Sequence, residues 1–167
     1  MRWITRRNLH IDRTACAWLI RKRIDPAADF QFVPADSDPG QLDGHTFDMQ
    51  GAEYGHRDGQ CAFQLLVERH GLQDDPALVE MGRIILDADV PPRRTRHPEA
   101  AGIDALLRGF QRSVPDDQEK LRLTGPVFDA LYAYCQAKAA AEPARTGAPR
   151  PRLSYRRRVA AHLTEDA

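Results

Sequence analysis

The chain has 167 residues in which 24 Lys+Arg balance 24 Asp+Glu, so its formal net charge is zero. That length suits one domain with a real core, and the balance removes any global argument for nucleic-acid or membrane binding. No apolar run approaches the roughly 20 residues of a bilayer span, and the basic start lacks the apolar stretch of a signal peptide, so a cytoplasmic protein is expected.

Trp3-Ile4-Thr5 has the character of a short strand. Asp12 then reads as the N-cap of a helix over residues 13–24. Ala15, Cys16, Leu19, Ile20 and Ile24 form its apolar face, Arg21, Lys22 and Arg23 face water, and Pro26 ends it. Phe30-Gln31-Phe32-Val33 alternates as a half-buried strand, residues 34–44 read as loop, and Thr46-Phe47-Asp48 suits a third strand. A helix over residues 61–70 turns Phe63, Leu66 and Val67 inward and stops at Gly71.

Asp75-Pro76 opens the next helix, with Leu78, Met81 and Ile85 as its stripe and a break at Pro91-Pro92. Ile103, Leu106, Leu107 and Phe110 mark another, and Phe128, Leu131, Tyr132 and Cys135 repeat the spacing after Gly125-Pro126. Residues 115–123 add a helical turn or two between them. From residue 142 to 152 prolines and arginines dominate, which reads as a linker or arm, and residues 155–163 suit a short basic helix. The expectation is a mainly helical α+β domain over residues 1–141, with a small N-terminal sheet of two to three short strands, and a Pro/Arg-rich arm over residues 142–167.

Cys16, Cys61 and Cys135 are few, widely spaced and odd in number, which suits a reducing compartment rather than a disulfide framework. Cys16 and Cys135 fall on apolar stripes as small hydrophobes. Cys61 begins a helix, where the macrodipole favours thiolate; it is open to a soft-ligand, redox or plain core role.

The chemistry concentrates in Phe47-Asp48-Met49-Gln50-Gly51-Ala52-Glu53-Tyr54-Gly55-His56-Arg57-Asp58-Gly59-Gln60-Cys61 and in His10-Ile11-Asp12-Arg13. Glu53 and His56, in a turn flanked by Gly51, Gly55 and Gly59, can converge on one point, and the glycines let a ligand approach the backbone. Imidazole with carboxylates is a donor mixture for an open divalent-metal site, with His10, Asp12, Asp48, Glu53 and His56 as the metal candidates. Asp12 can equally be only a cap, and the glycine-rich turn can equally carry solvated charges. Arg13, at a helix start, and Arg57 are the anion-binding candidates. Asp87 and Asp89 share a helix end where negative charge is unfavourable, and carboxylates kept there sometimes ligate. His45, His70, His97 and His162 show no convergent partners. Arg156-Arg157-Arg158 is the one basic cluster and reads as a solvated tail before it reads as a nucleic-acid contact.

These segments resemble the C-terminal module of the ChrB-type chromate resistance family. The resemblance rests on Trp3-Ile4-Thr5-Arg6, on His10-Ile11-Asp12-Arg13-Thr14-Ala15-Cys16-Ala17-Trp18-Leu19-Ile20-Arg21, on Phe32-Val33-Pro34, on Phe47-Asp48 through Glu53, on Gly55-His56 and Cys61, and on Phe128-Asp129-Ala130-Leu131-Tyr132-Ala133. It implies a link to chromate or oxidative-metal stress, as a sensor or accessory protein, with His10, Asp12, Arg13, Asp48, Glu53, His56 and Cys61 at the motif positions. Full-length sensors carry a preceding region of DNA-binding character, so a chain starting at the module is expected not to act as a repressor by itself. The family often has a polar residue and a Glu after the cysteine, where Ala62 and Gln64 stand here.

Two readings follow. One is a metal- or oxyanion-binding module that responds to chromate or a related anion, with a His/carboxylate divalent metal (Mn, Fe, Zn or Ni) beside Arg13 and Arg57, and Cys61 open to oxidation. The other is a small metal-dependent enzyme (lyase, hydrolase or oxidoreductase) acting on a small carboxylate or oxygenated substrate. The expected partner is a small anion, with no membrane; nucleic acid needs an additional domain, and homo-oligomer formation stays open.

Overall fold

The computed structural model describes residues 1–90 and 97–141. Three short strands, β1 (Arg2–Arg6), β2 (Asp29–Val33) and β3 (His45–Thr46), form a parallel sheet in the order β2-β1-β3. Arg2 stands opposite Asp29 and Arg6 opposite Val33, while Trp3 and Ile4 pair with His45 and Thr46. β1 is therefore central, and Trp3, Ile4 and Thr5 are buried along it. The chain leaves β1, returns on one side as β2, then crosses to the other side as β3. Such a reversal of strand order leaves a crevice at the carboxyl ends of the strands, where ligands bind in parallel sheets.

Five α-helices complete the fold among the described residues: α1 (Ile11–Leu19), α2 (Ala62–Arg69), α3 (Pro76–Asp89), α4 (Glu99–Ser113) and α5 (Asp117–Ala141). The α+β expectation holds, mainly helical with a small N-terminal sheet. α1 is the hub. It packs on α2, α3 and α5, and every residue in it except Arg13 is buried. The stripes expected on α2 and α3 are inside, with Phe63, Leu66, Val67, Leu78, Met81 and Ile85 buried. Gly71 leaves α2 at φ 65°, a left-handed exit that glycine makes without strain.

Three local expectations are corrected. The first helix starts at Ile11 rather than after Asp12, with His10 at the cap position, and its end widens into a π-type turn over Ile20–Ile24. Gly125-Pro126 does not interrupt the last helix: Pro126 lies inside α5. The lost N–H costs one intrahelical bond, but Leu121, Thr124, Phe128, Leu131 and Cys135 bury one continuous face across it, which outweighs that loss. On α4 only Leu107 of the expected stripe is buried, while Leu106 is exposed. The break at Pro91-Pro92, the arm from residue 142, the basic helix and His162 lie outside the described residues.

One contact fixes the segment between β1 and α1. Asn8, at φ 62°, and Leu9 donate their N–H groups to Asp117 at 2.8 and 3.0 Å, and Lys120 donates to the same carboxylate at 2.7 Å. Lys120 is 1% exposed, so the start of α5 holds this turn through a buried charge pair. No helix among the described residues is long and apolar enough to cross a membrane.

Candidate metal centre

Polar side chains from five segments meet at the carboxyl end of the sheet. Arg6 ends β1, Asp12 and Arg13 lie in the first turn of α1, Asp48 follows β3, His56 sits in the glycine-rich loop, and Asp89 ends α3. The loop is shaped for this. Asp48 takes a left-handed backbone, φ 44°, while its N–H bonds Tyr54 O at 2.9 Å. A non-glycine residue in that region is uncommon, and such strain persists where the surroundings over-determine it. At Gly55 an added Cβ would lie 2.9 Å from the carbonyl oxygen of Met49, so this position requires glycine.

His56 Nε2 is the point of convergence. It lies 3.1 Å from Asp12 Oδ2, 3.1 Å from Asp48 Oδ1 and 3.4 Å from Asp89 Oδ2. Ligand atoms of Asp12, His56 and Asp89 all fall within 4.8 Å of one another. Three carboxylates thus face one imidazole nitrogen, which has a single proton to offer. The electrostatics register the crowding. Hydrogen bonds to Asp12 and Asp48 push the His56 pKa up to about 10. Burial, then repulsion from Asp12 and Asp48, raises Asp89 to about 6. Burial also raises Asp48, against the pull of His56 and Arg13.

Asp12 is a cap, but of a different helix from the one its sequence position suggests. Its side chain is fully buried, and it accepts the N–H groups of Ala62 at 2.8 Å and Phe63 at 3.0 Å, the first turn of α2. Cys16 donates its thiol to the same carboxylate at 3.6 Å. These donors lock the orientation in which Asp12 presents itself to His56.

A cleft of about 380 Å³ opens over the cluster, lined by Arg6, Arg13, Asp48, His56 and Asp89 together with Met49, Gln50 and Gly51. Arg13 is occupied: its Nε lies 3.1 Å from Asp48 Oδ2 and its Nη1 donates to Asn8 O at 3.3 Å.

The other candidate residues are placed elsewhere. Glu53 bonds His45 Nδ1 at 2.9 Å in an exposed pair, so it and His56 take different partners. His10 Nε2 lies 3.0 Å from Asp104 Oδ1, an ion-pair distance without hydrogen-bond alignment, and burial lowers its pKa. Arg57 is exposed in a turn with Gln60 and is no part of the cleft wall. Cys61 holds the cap position of α2 but is fully buried, and burial, reinforced by Asp12, pushes its thiol far up. It is a neutral core thiol, because loss of water outweighs the macrodipole. Gln64 accepts the Cys61 N–H at 3.2 Å, which gives that position a capping task. His97, without visible partners in the sequence, bonds Asp87 at 2.7 Å, and His70 stacks on Tyr54.

Sequence reasoning weighed Asp89 only as one of two acids at a helix end, and it passed over Arg6. The available signal was Arg6 closing the Trp3-Ile4-Thr5 strand, a position that gains meaning once the sheet is parallel.

Residues 3–135 match the family model of the ChrB C-terminal domain, and all six clustered residues lie within that span. The chain belongs to the ChrB C-terminal domain family. It is 38% identical over 132 residues to protein ChrB of Cupriavidus metallidurans, an alignment that covers 79% of this chain and 40% of that protein. The chain therefore corresponds to less than half of its ChrB relative's length. No solved structure matches it.

Proposed function

We propose that the chain is a divalent-metal-binding module of the ChrB family, held by Asp12, Asp48, His56 and Asp89, that takes up chromate or a related oxyanion beside the metal. The observation that carries this is the convergence of three carboxylates on His56 Nε2 at 3.1, 3.1 and 3.4 Å. A proton there satisfies part of the set, whereas a divalent cation takes the imidazole lone pair and several carboxylate oxygens together. Oxygen-rich donors with one imidazole fit Mn or Fe first, ahead of Zn and Ni. When bound, the metal supplies a Lewis-acidic, anion-attracting centre. The chain's own residues do the rest: Asp12 is oriented by two backbone N–H groups, and Arg13 steadies Asp48. The ChrB-type resemblance supplies the chromate assignment. Calorimetric titration with Mn²⁺ tests it: one site in the wild type and none in His56→Ala are expected, and equal uptake by both contradicts the ligand set.

The cleft over the cluster favours a second reading, a small metal-dependent enzyme acting on a carboxylate, because its walls leave a substrate access to the metal position. Turnover of small carboxylates by the Mn-loaded chain, abolished in His56→Ala, is the outcome that would select it.

A further inference from the structure

The sheet has an edge with no neighbouring strand among the described residues. In the order β2-β1-β3, β2 pairs only with β1, and its register fixes which way each backbone group turns. Asp29 N donates to Met1 O and Arg7 N to Val33 O, so Asp29, Gln31 and Val33 direct their backbone groups to β1. Phe30 and Phe32 therefore direct theirs to the free edge. Side chains cover the two acceptors there: Gln118 Nε2 donates to Phe30 O at 2.7 Å, and Arg7 Nε donates to Phe32 O at 3.3 Å. The two N–H groups have no acceptor among the described residues. A groove of about 530 Å³ opens at this edge, lined by Phe30, Gln31 and Phe32 together with Pro115, Asp116 and Gln118.

An unpaired edge is a template for another strand. No lysine, proline or bulge interrupts Asp29–Val33 to prevent it. The charges at the two ends of the edge choose the partner. Asp29 is exposed at one end, with no ion-pair partner among the described residues, and the exposed Arg7 lies at the other, beside Val33. A parallel neighbour of the same sequence would set like charges together at both ends. An antiparallel one sets Arg7 against Asp29 twice, with Gln31 at the centre. That register also opposes Phe30 to Phe32, the pairing in which both exchange N–H···O bonds, and it closes on a two-fold axis.

We propose that β2 is the contact through which two copies of this chain join, edge to edge and antiparallel, in a continuous sheet with three strands from each copy. Phe30 N–H donates to the carbonyl of the partner's Phe32, and Phe32 N–H to that of the partner's Phe30. Arg7 leaves Phe32 O for the carboxylate of the partner's Asp29, exchanging a neutral acceptor for a charged one. The cleft over His56 takes none of its lining from β2, so this contact leaves it uncovered.

Sedimentation equilibrium of the full chain through the micromolar range tests this. Wild type is compared with Asp29→Arg, Arg7→Asp, the two changes combined, Gln31→Lys, and Asp74→Arg as an exposed change away from the edge. Wild type is expected to dimerise, and each single charge reversal to weaken the dimer at least about tenfold. Gln31→Lys, which opposes like charges at the two-fold axis, weakens it as well. The combined variant restores the pair with its signs exchanged and recovers toward wild type, while Asp74→Arg matches wild type. Thermal unfolding checks that each variant is folded. Amide exchange of the wild type is the direct readout: Phe30 and Phe32 gain protection as concentration rises, whereas Gln31, bonded to β1, is protected throughout. A wild type that stays monomeric, a dimer equally strong in Asp29→Arg and Arg7→Asp, or a combined variant that does not recover overturns the proposal.

Discussion

Two polar clusters in this molecule use similar residues and are built on opposite electrostatic plans. Where α3, α4 and α5 meet, Lys138 reaches Glu80 at 2.6 Å and Glu99 at 3.3 Å, Arg83 reaches Glu80 at 3.2 Å, and His97 bonds Asp87 at 2.7 Å. Burial works against the charge of Glu80, yet Lys138 and Arg83 hold its pKa below the usual value; a hydrogen bond from Tyr134 does the same for Glu99. At the end of the sheet the sign reverses, with Asp48 and Asp89 raised and one imidazole facing three acids. A cluster that stabilises a fold matches its charges. The sheet-end cluster instead sets three carboxylates against one imidazole beside an open cleft, and the proposed cation site rests on that imbalance.

The largest expected effect is at Asp12, which both caps α2 and faces His56. Asp12→Ala leaves the N–H groups of Ala62 and Phe63 without their acceptor in a buried setting. It should lower unfolding free energy by about 3 kcal/mol in denaturant titration and abolish Mn²⁺ uptake. Lys138→Met separates the clusters: it should cost about 1 kcal/mol, since the amine is partly solvent-screened, while Mn²⁺ uptake is unchanged. A loss of metal there would mean the two clusters are coupled. Asp89→Asn should do the reverse, raising the midpoint of metal-free thermal unfolding by about 2–4 °C, the shift that roughly 1 kcal/mol gives at this size, while Mn²⁺ affinity falls. A lowered midpoint would show that Asp89 is there for stability.

The smallest effect is one of pH. Glu80 has a lowered carboxyl pKa, so its stabilisation is fully present above its ordinary value of 4.5 and is lost as pH falls through the folded-state value. The stability deficit of Glu80→Gln should therefore be constant near neutrality and close as pH drops below about 4.5. A deficit that persists undiminished at lower pH would place the role of Glu80 outside its charge.

Most helices were legible because their signals are local: Asp75 before Pro76, the Leu78, Met81 and Ile85 stripe, and the stop at Gly71 each act within one or two turns. Pro126 misled because a local breaker was overruled by a face buried along 25 residues of α5. The centre was half legible. Asp12, Asp48 and His56 stood out by type and setting, but their meeting depends on β3 pairing alongside β1 and on α3 returning Asp89 to the same point. Spacing suggested Glu53 with His56; the fold gave Glu53 to His45 instead, because Glu53 N bonds Thr46 Oγ1 and follows the edge of β3. For Cys61 the sequence left ligand, redox and core roles open, and its complete burial is what selects the core role.

The most direct test of the proposed metal centre sets a residue the fold brings to the cluster against one that sequence spacing suggested. Elemental analysis after reconstitution with Mn²⁺ would compare wild type, Asp89→Ala and Glu53→Ala. Near-stoichiometric metal in wild type and Glu53→Ala, lost in Asp89→Ala, is the result predicted. Metal retained in Asp89→Ala but lost in Glu53→Ala, or absent from the wild type, would contradict the centre described.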